Sequence, residues 1–289
     1  MTILTFFQNQ QTFQDLKSWK VYTLFLSLAM YSCNDSTYLA EKQLTNDLSY
    51  NHDLDNNDNF SPDNQWLVYD TRTEEGGIAA SAKIEKVNVE TGEKKVLYEL
   101  PNNAEWGPGA GAVSYSPVDN SVVFIHGLMS VTKENPYQQW RRTGVIINDA
   151  TPNVPVFMDA RDITPPYTKG ALRGGTHRHE WSGDGQWIGY TYNDAVLKEL
   201  EDKTGKKHNL RTIGVSKRNM PVKLKKDAQG NNVSGEWFSA LVVRVTPTPK
   251  AGSDEISHAA GDSWVGTEGY EKPDGTRQIA RAFIGKVKD

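Results

Sequence analysis

The chain has 289 residues, with 32 basic and 36 acidic side chains and a formal net charge of −4. This near-balance excludes a strongly basic nucleic-acid-binding protein, so we expect no nucleic-acid partner. Because the chain has 1 cysteine, an intrachain disulfide and a cysteine-based zinc site are also excluded. The 8 tryptophans and 12 tyrosines are typical of a sheet-rich protein, since aromatic side chains are enriched in strands.

Residues 1–33 differ in character from the rest of the chain. Lys17 and Lys20 precede a mostly apolar run, residues 21–30, which is followed by Ser32 and Cys33. This run is too short to cross a bilayer as a helix, which takes about 20 residues. A basic flank, a short apolar run and a small residue are instead the pattern of a secretory signal.

The same arrangement resembles a bacterial lipoprotein signal. The resemblance implies that Cys33 becomes the lipid-modified first residue of the mature chain, so that the membrane is contacted only through an N-terminal lipid anchor. The alternative is an ordinary signal with an incidental cysteine. Both interpretations predict an exported protein, either periplasmic or membrane-anchored. The polar residues 34–59, rich in Asn and Asp, are expected to form a tether or entry loop.

A ten-residue pattern recurs along the chain. The pattern is an aromatic residue, a Ser-Pro or Ser-Gly step with Asp or Asn, and a strand of alternating apolar and polar residues. Its copies are Phe60–Tyr69, Trp181–Tyr190 and, more weakly, Tyr115–Phe124. The polar and proline-rich step favours a tight turn, and the alternation favours a half-buried strand. Two further predictions are a hairpin of strands 83–88 and 95–100 and a fourth sheet around 237–245.

These aromatic-led turns resemble those that begin the blades of TolB-like β-propellers. Four other segments resemble an uncharacterised bacterial family of such propellers, some described as biopolymer transporters: 162–168, 172–177, 192–194 and 246–256. The resemblance implies an all-β propeller of four-stranded antiparallel blades over residues 60–289. About four blades can be counted and members of the family are longer, so we expect an incomplete propeller. A β-sandwich with coincidental turns is the alternative.

The strongest candidate site lies in the segment 173–181 (RGGTHRHEW). If this segment is a regular strand, His177 and His179 share one face and Arg178 lies on the other. Two imidazoles on alternate residues suit a divalent metal such as Mn, Zn or Ni, with a third ligand from another blade. The same layout suits an anionic sugar or phosphate. The candidate substrate-binding residues are Arg173, Arg178 and Asp194.

The chain is also distantly similar to oligogalacturonate lyases, which are propellers that hold a divalent metal through histidines, including a closely spaced pair. That resemblance implies that His177 and His179 are metal ligands. His126, at the end of a predicted strand, is the best candidate for a third ligand. The alternative is that these histidines are structural or line a polar channel.

Three functions therefore remain from the sequence. The first is a binding or scaffolding propeller at the cell envelope, with an envelope protein or an anionic glycan as its partner. The second is a metal-dependent lyase or hydrolase that acts on an acidic oligosaccharide through His177 and His179. The third is an accessory propeller of a peptidase, although no Gly-x-Ser-x-Gly elbow is present. We favour the first, because no complete catalytic set is found.

Overall fold

The computed structural model describes residues 41–73, 77–225 and 227–289. The predicted signal segment with Cys33 lies outside the described residues. The chain divides into two units, residues 1–43 and 44–289. Residues 41–43 carry no helix or strand, and every element below belongs to the second unit. Within the described ranges, no helix has both the length and the apolar character needed to span a membrane.

The second unit contains three four-stranded antiparallel sheets, each with its strands in chain order. The first consists of β1 (Asn51–Asp53), β2 (Trp66–Arg72), β3 (Lys83–Asn88) and β4 (Lys94–Glu99). The second consists of β5 (Ala110–Tyr115), β6 (Ser121–Gly127), β7 (Arg142–Asn148) and β8 (Val156–Phe157). The third consists of β9 (Gly174–Trp181), β10 (Trp187–Asp194), β11 (Thr212–Lys217) and β12 (Phe238–Leu241). The chain is mostly β, which is compatible with the predicted all-β class, and the β3–β4 hairpin is confirmed.

A fourth sheet has two strands, β13 (Ala259–Trp264) and β16 (Arg281–Gly285), with the hairpin of β14 (Tyr270–Glu271) and β15 (Arg277–Gln278) between them in the chain. The prediction of a fourth sheet around 237–245 was wrong. Those residues supply β12, which pairs with β11 and completes the third sheet. The first sheet also begins earlier than expected, because β1 lies inside the segment predicted as an entry loop.

The recurring turn is built from the side chains that the sequence pattern supplies. In the first copy, the Ser61 hydroxyl donates to Asp63 at 2.6 Å and accepts from the Trp66 amide at 3.0 Å. In the third sheet, Ser182 accepts from the Trp187 amide at the same distance. In all three copies the aromatic residue pairs with the residue seven positions later, as in Trp181 with Ile188. The repeat is therefore confirmed as a repeated local structure.

Successive sheets pack face to face. β2 and β3 contact β5, β6 and β7 contact β9, and β10 and β11 contact β13. The first interface is filled by apolar side chains that include Val68, Ile84, Phe124 and Val145. The second is filled by side chains that include Val123, Met158, Trp181, Tyr190 and Trp237. Because each sheet packs on the first strand of the next, the arrangement is compatible with a propeller-like fold.

The first strands of three sheets share an irregularity. Pairing registers shift within β5, β9 and β13, so that each strand carries an extra residue relative to its partner. The residues with positive φ at these bulges are Ala112 (φ 55°), Arg178 (φ 59°) and Gly261 (φ 61°). Each lies three residues before the aromatic residue at the end of its strand. A bulge of this kind bends the strand and redirects its side chains.

The strands give the unit two chemically different ends. One end carries the Ser-Asp turns described above. The other carries four arginines that lie at a strand end or one residue before a strand: Arg72, Arg142, Arg173 and Arg211. We call it the arginine end. A helix, α1 (Ala195–Thr204), follows β10 at this end, and the all-β expectation did not include it.

Candidate functional site

His177 and His179 do not share a face of β9. Thr191 of β10 lies opposite His177 and Gly189 lies opposite Glu180, so two steps along β10 match three along β9. The extra residue at the Arg178 bulge breaks the alternation that a regular strand would impose. His177 therefore lies on the face of Glu180, whereas His179 lies on the opposite face. The prediction of a shared face was wrong, and His177 and His179 cannot bind one ion from the same face of β9.

His179 is a buried structural residue between the second and third sheets. Its side chain is fully buried, and its Nε2 lies 2.9 Å from the Thr176 hydroxyl. Thr176 in turn donates to Asp159 at 3.3 Å, and the Gly144 amide donates to the same carboxyl oxygen at 2.6 Å. Burial lowers the pKa of His179 to about 3 and raises that of Asp159 to about 7. Both side chains are therefore held in or near their neutral forms.

His126 has both ring nitrogens engaged elsewhere. Its Nδ1 donates to the Gly127 carbonyl at 2.5 Å, which fixes the tautomer, and its Nε2 accepts from the Tyr98 hydroxyl at 2.8 Å. Burial lowers its pKa to about 4. In the described part of the chain, no three His, Cys, Asp or Glu side chains lie close enough together to hold a metal ion. Metal binding by His126, His177 and His179 stays a prediction.

Arg173 and Asp194 bind each other. The guanidinium of Arg173 donates to one carboxylate oxygen of Asp194 through Nε at 3.0 Å and Nη2 at 2.7 Å. Through its other oxygen, Asp194 accepts from the Leu197 amide and caps α1. Together with Tyr192, the pair lines a cavity of about 350 Å³ whose other charged lining residue is Arg244. These two candidates are thus close together, at the arginine end. Each uses part of its hydrogen-bonding capacity on the other.

Several arginines act electrostatically on His177. Burial lowers its pKa to about 3, and the positive charges of Arg142, Arg211, Arg178 and Arg72 lower it further, in that order. Arg72 belongs to the first sheet, Arg142 to the second and Arg211 to the third.

Ion pairs with Asp53, Asp55 and Asp70 neutralise Arg72. We call Arg142, His177, Arg178 and Arg211 the axial cluster.

The axial cluster carries uncompensated positive charge. Within residues 41–73, 77–225 and 227–289, no ion pair is formed by Arg142, Arg178 or Arg211. Arg142 is 3% exposed, and its Nη1 donates to the Tyr137 hydroxyl at 3.0 Å. Its Nε and Nη2 are buried and have no hydrogen-bond partner among the residues that the structure describes, and the same is true of the Nδ1 of His177. Such a group of cationic donors is suited to an anion.

Sequence reasoning missed Arg142, Arg211 and Asp159. The Arg141-Arg142 pair is visible in the sequence, but no local pattern indicates that it lies beside a histidine of the next sheet. Asp159 follows a two-residue strand and has no neighbouring motif. The signal that could have found the arginines is their position at one end of consecutive strands, which requires the strand bounds.

The chain is similar in sequence to proteins without an assigned activity. Residues 109–232 match the family model described as "Protein of unknown function (DUF3748)". Over 240 residues the chain is 40% identical to "Uncharacterized protein YidR" of Escherichia coli strain K12, a match that covers 81% of this chain and 51% of that protein. The chain therefore spans about half the length of this curated relative. The uncharacterised nature of the matching family agrees with the resemblance drawn from the sequence.

Among solved structures, the chain is similar to a candidate TolB from Agrobacterium tumefaciens. The two share 14% sequence identity, and the TM-score is 0.34. The match covers 68% of this chain and 60% of that one.

Proposed function

We propose that the chain supplies about four blades of an incomplete TolB-like β-propeller and acts as a binding module at the cell envelope, with an anionic glycan as its ligand. The observation that carries this proposal is the axial cluster, in which Arg142, Arg178 and Arg211 form no ion pair with the described residues. A cleft lined by charge of one sign attracts ligands of the opposite sign and raises their local concentration. An acidic envelope protein is the partner to consider if glycans fail to bind.

The arginine end also offers space and a mixed surface. The cavity beside Arg173 and Asp194 has apolar walls that include Leu210, Leu241 and Val243. Apolar walls with a few polar groups are typical of ligand sites, since the walls exclude water and the polar groups fix orientation. Arg178 is exposed at the bulge and adds a donor that a ligand can reach.

The experiment is a binding measurement on the purified full chain. Acidic and neutral oligosaccharides of the same length are compared by calorimetry at low and high salt. We expect binding of the acidic series only, weakened by salt because screening acts on exposed charges. The variant Arg178→Gln/Arg211→Gln is expected to bind weakly, whereas Arg218→Gln/Arg277→Gln, which removes the same charge elsewhere, is expected to bind normally. Equal binding of neutral oligosaccharides would contradict the proposal.

Export is part of the proposal and rests on residues 1–33. The test is fractionation of cells that express the full chain with and without Cys33→Ala. We expect the unchanged chain in the membrane fraction and the variant released into the soluble exported fraction. A cytoplasmic chain in both cases would remove the envelope role and leave the binding activity to be judged separately.

A further inference from the structure

The guanidinium of Arg142 has two donor atoms that no described residue accepts from. Its Nη1 is held by Tyr137, and its plane lies near that ring, with the guanidinium carbon 5.9 Å from the ring centre. The two atoms without a partner, Nε and Nη2, form the side of the guanidinium from which two parallel N–H bonds point in one direction. This is the side that binds a carboxylate or a phosphate through two hydrogen bonds.

A buried guanidinium edge without a hydrogen-bond partner is energetically unfavourable. A buried cation that lacks a partner loses its hydration without compensation, so native structures pair such groups or bind an ion to them. The described residues supply no carboxylate to Arg142, and its charged neighbour Arg211 is also a cation. An anion from outside these residues would supply the missing partner.

The backbone beside Arg142 is shaped to hold it in place. Gly175 of β9 lies against its stem, since a Cβ built there would meet the Cγ of Arg142 at 2.9 Å and the Gln139 carbonyl at 2.3 Å. The absence of a side chain at Gly175 thus lets the second sheet bring Arg142 close to β9. His177 follows two residues later, with its Nδ1 buried and unpartnered. The two orphaned groups come from neighbouring sheets.

The geometry points to an oxyanion site in which Arg142 binds one carboxylate or phosphate group of the ligand through Nε and Nη2, with His177 beside it. The inference rests on the proposed function, because it names the chemical group by which an anionic ligand is anchored at the arginine end. Arg178 and Arg211 contribute positive charge around this anchor. A ligand that carries a single charged group of this kind on each sugar or at one terminus fits the site.

The test uses three small probes with the full chain: inorganic phosphate, glucuronate and, as the neutral match, glucose. We expect phosphate or glucuronate to raise the melting temperature and to bind by calorimetry, while glucose does neither. Arg142→Lys keeps the charge but loses the paired donors, and we expect it to weaken binding roughly tenfold or more. Arg277→Gln, an exposed charge change on the β14–β15 hairpin, is the matched control and is expected to bind normally.

A second variant separates loss of binding from loss of folding. Because the unpartnered guanidinium destabilises the free protein, Arg142→Met is expected to raise its melting temperature while abolishing the shift caused by the probe. A response to phosphate alone assigns a phosphorylated ligand, and a response to glucuronate assigns a carboxylated one. Probe binding that persists in Arg142→Met, or its absence from the unchanged chain, would overturn the anchor. Acidic oligosaccharides that still bind in that case leave the proposed function standing.

Discussion

Ala112 and Arg178 occupy equivalent positions in two successive sheets, each with a positive φ at a bulge three residues before an aromatic residue. The backbone conformation at these positions is unfavourable for any residue with a side chain, by roughly 1–2 kcal/mol. Gly261 has the same conformation in β13 without this cost. The bulge is therefore maintained by the packing of the sheets, even where the local residue opposes it.

Arg178→Gly tests this cost directly. We expect the free energy of unfolding to rise by roughly 0.5–1 kcal/mol, because relief of the backbone strain outweighs the added freedom of the unfolded chain. Arg178→Val is expected to lower it by about 1–2 kcal/mol, since a β-branched side chain is least tolerated at positive φ. Urea denaturation measures both. An unchanged Arg178→Val protein would show that the bulge is not strained.

Asp159→Asn tests the buried carboxyl. Its raised pKa, about 7, means that between about pH 4 and pH 7 the folded state keeps a proton that the unfolded state releases. The free energy of unfolding therefore falls as pH rises through this window, by up to about 1.4 kcal/mol per pH unit. Asp159→Asn is expected to flatten this slope. Urea titrations at several pH values check it, and equal slopes for both proteins would contradict the assignment.

Separate variants of the two histidines test the metal-dependent alternative. His177 and His179 lie on opposite faces, so we expect that they do not depend on each other for an ion. His179→Ala is expected to lower the free energy of unfolding by about 1–3 kcal/mol, because it removes the hydrogen bond between the His179 ring and the Thr176 hydroxyl, which then keeps only Asp159 as a partner. We expect metal content to be the same before and after this change. Stoichiometric Mn, Zn or Ni that is lost both in His177→Ala and in His179→Ala would establish the chelating pair and favour the lyase or hydrolase.

Arg281 holds the fourth sheet to the third. Its side chain, 5% exposed, pairs with Asp262 of β13 and with Glu180 of β9, the latter at 3.0 Å. Arg281→Met leaves two carboxylates without their cation, and we expect it to lower stability by about 3–5 kcal/mol. Hydrogen exchange is expected to increase in β13 and β16. Arg277→Met, which removes an exposed pair with Glu268, is the control and is expected to cost under about 1 kcal/mol.

The turns could be predicted from the sequence because their chemistry is local. Ser182 and Asp184 lie within the segment that they fold, and their side chains satisfy its backbone groups. The same holds for Ser61 and Asp63. A pattern of residue types a few positions apart is therefore sufficient to locate them.

The site could not be predicted in the same way. Nothing in the types of residues 177–179 indicates a bulge, since arginine seldom adopts positive φ, and strict alternation was the reasonable expectation. A single extra residue moves a side chain to the other face of a sheet. Arg142 likewise has its role only because β7 packs on β9, which is a relationship between distant parts of the chain.

Asn56 gives the centre of the sheets a particular order of assembly. Its side-chain amide donates to the Ala112 carbonyl at 3.1 Å and to the His179 carbonyl at 2.8 Å, a residue 123 positions further along the chain. During synthesis, Asn56 leaves the ribosome long before its second acceptor exists. Since closing such distant contacts is slow, the Asn56 amide stays exposed to water until the third sheet emerges. A nascent chain that pauses before the third sheet is made would therefore expose the residues around Asn56 to chaperones and proteases.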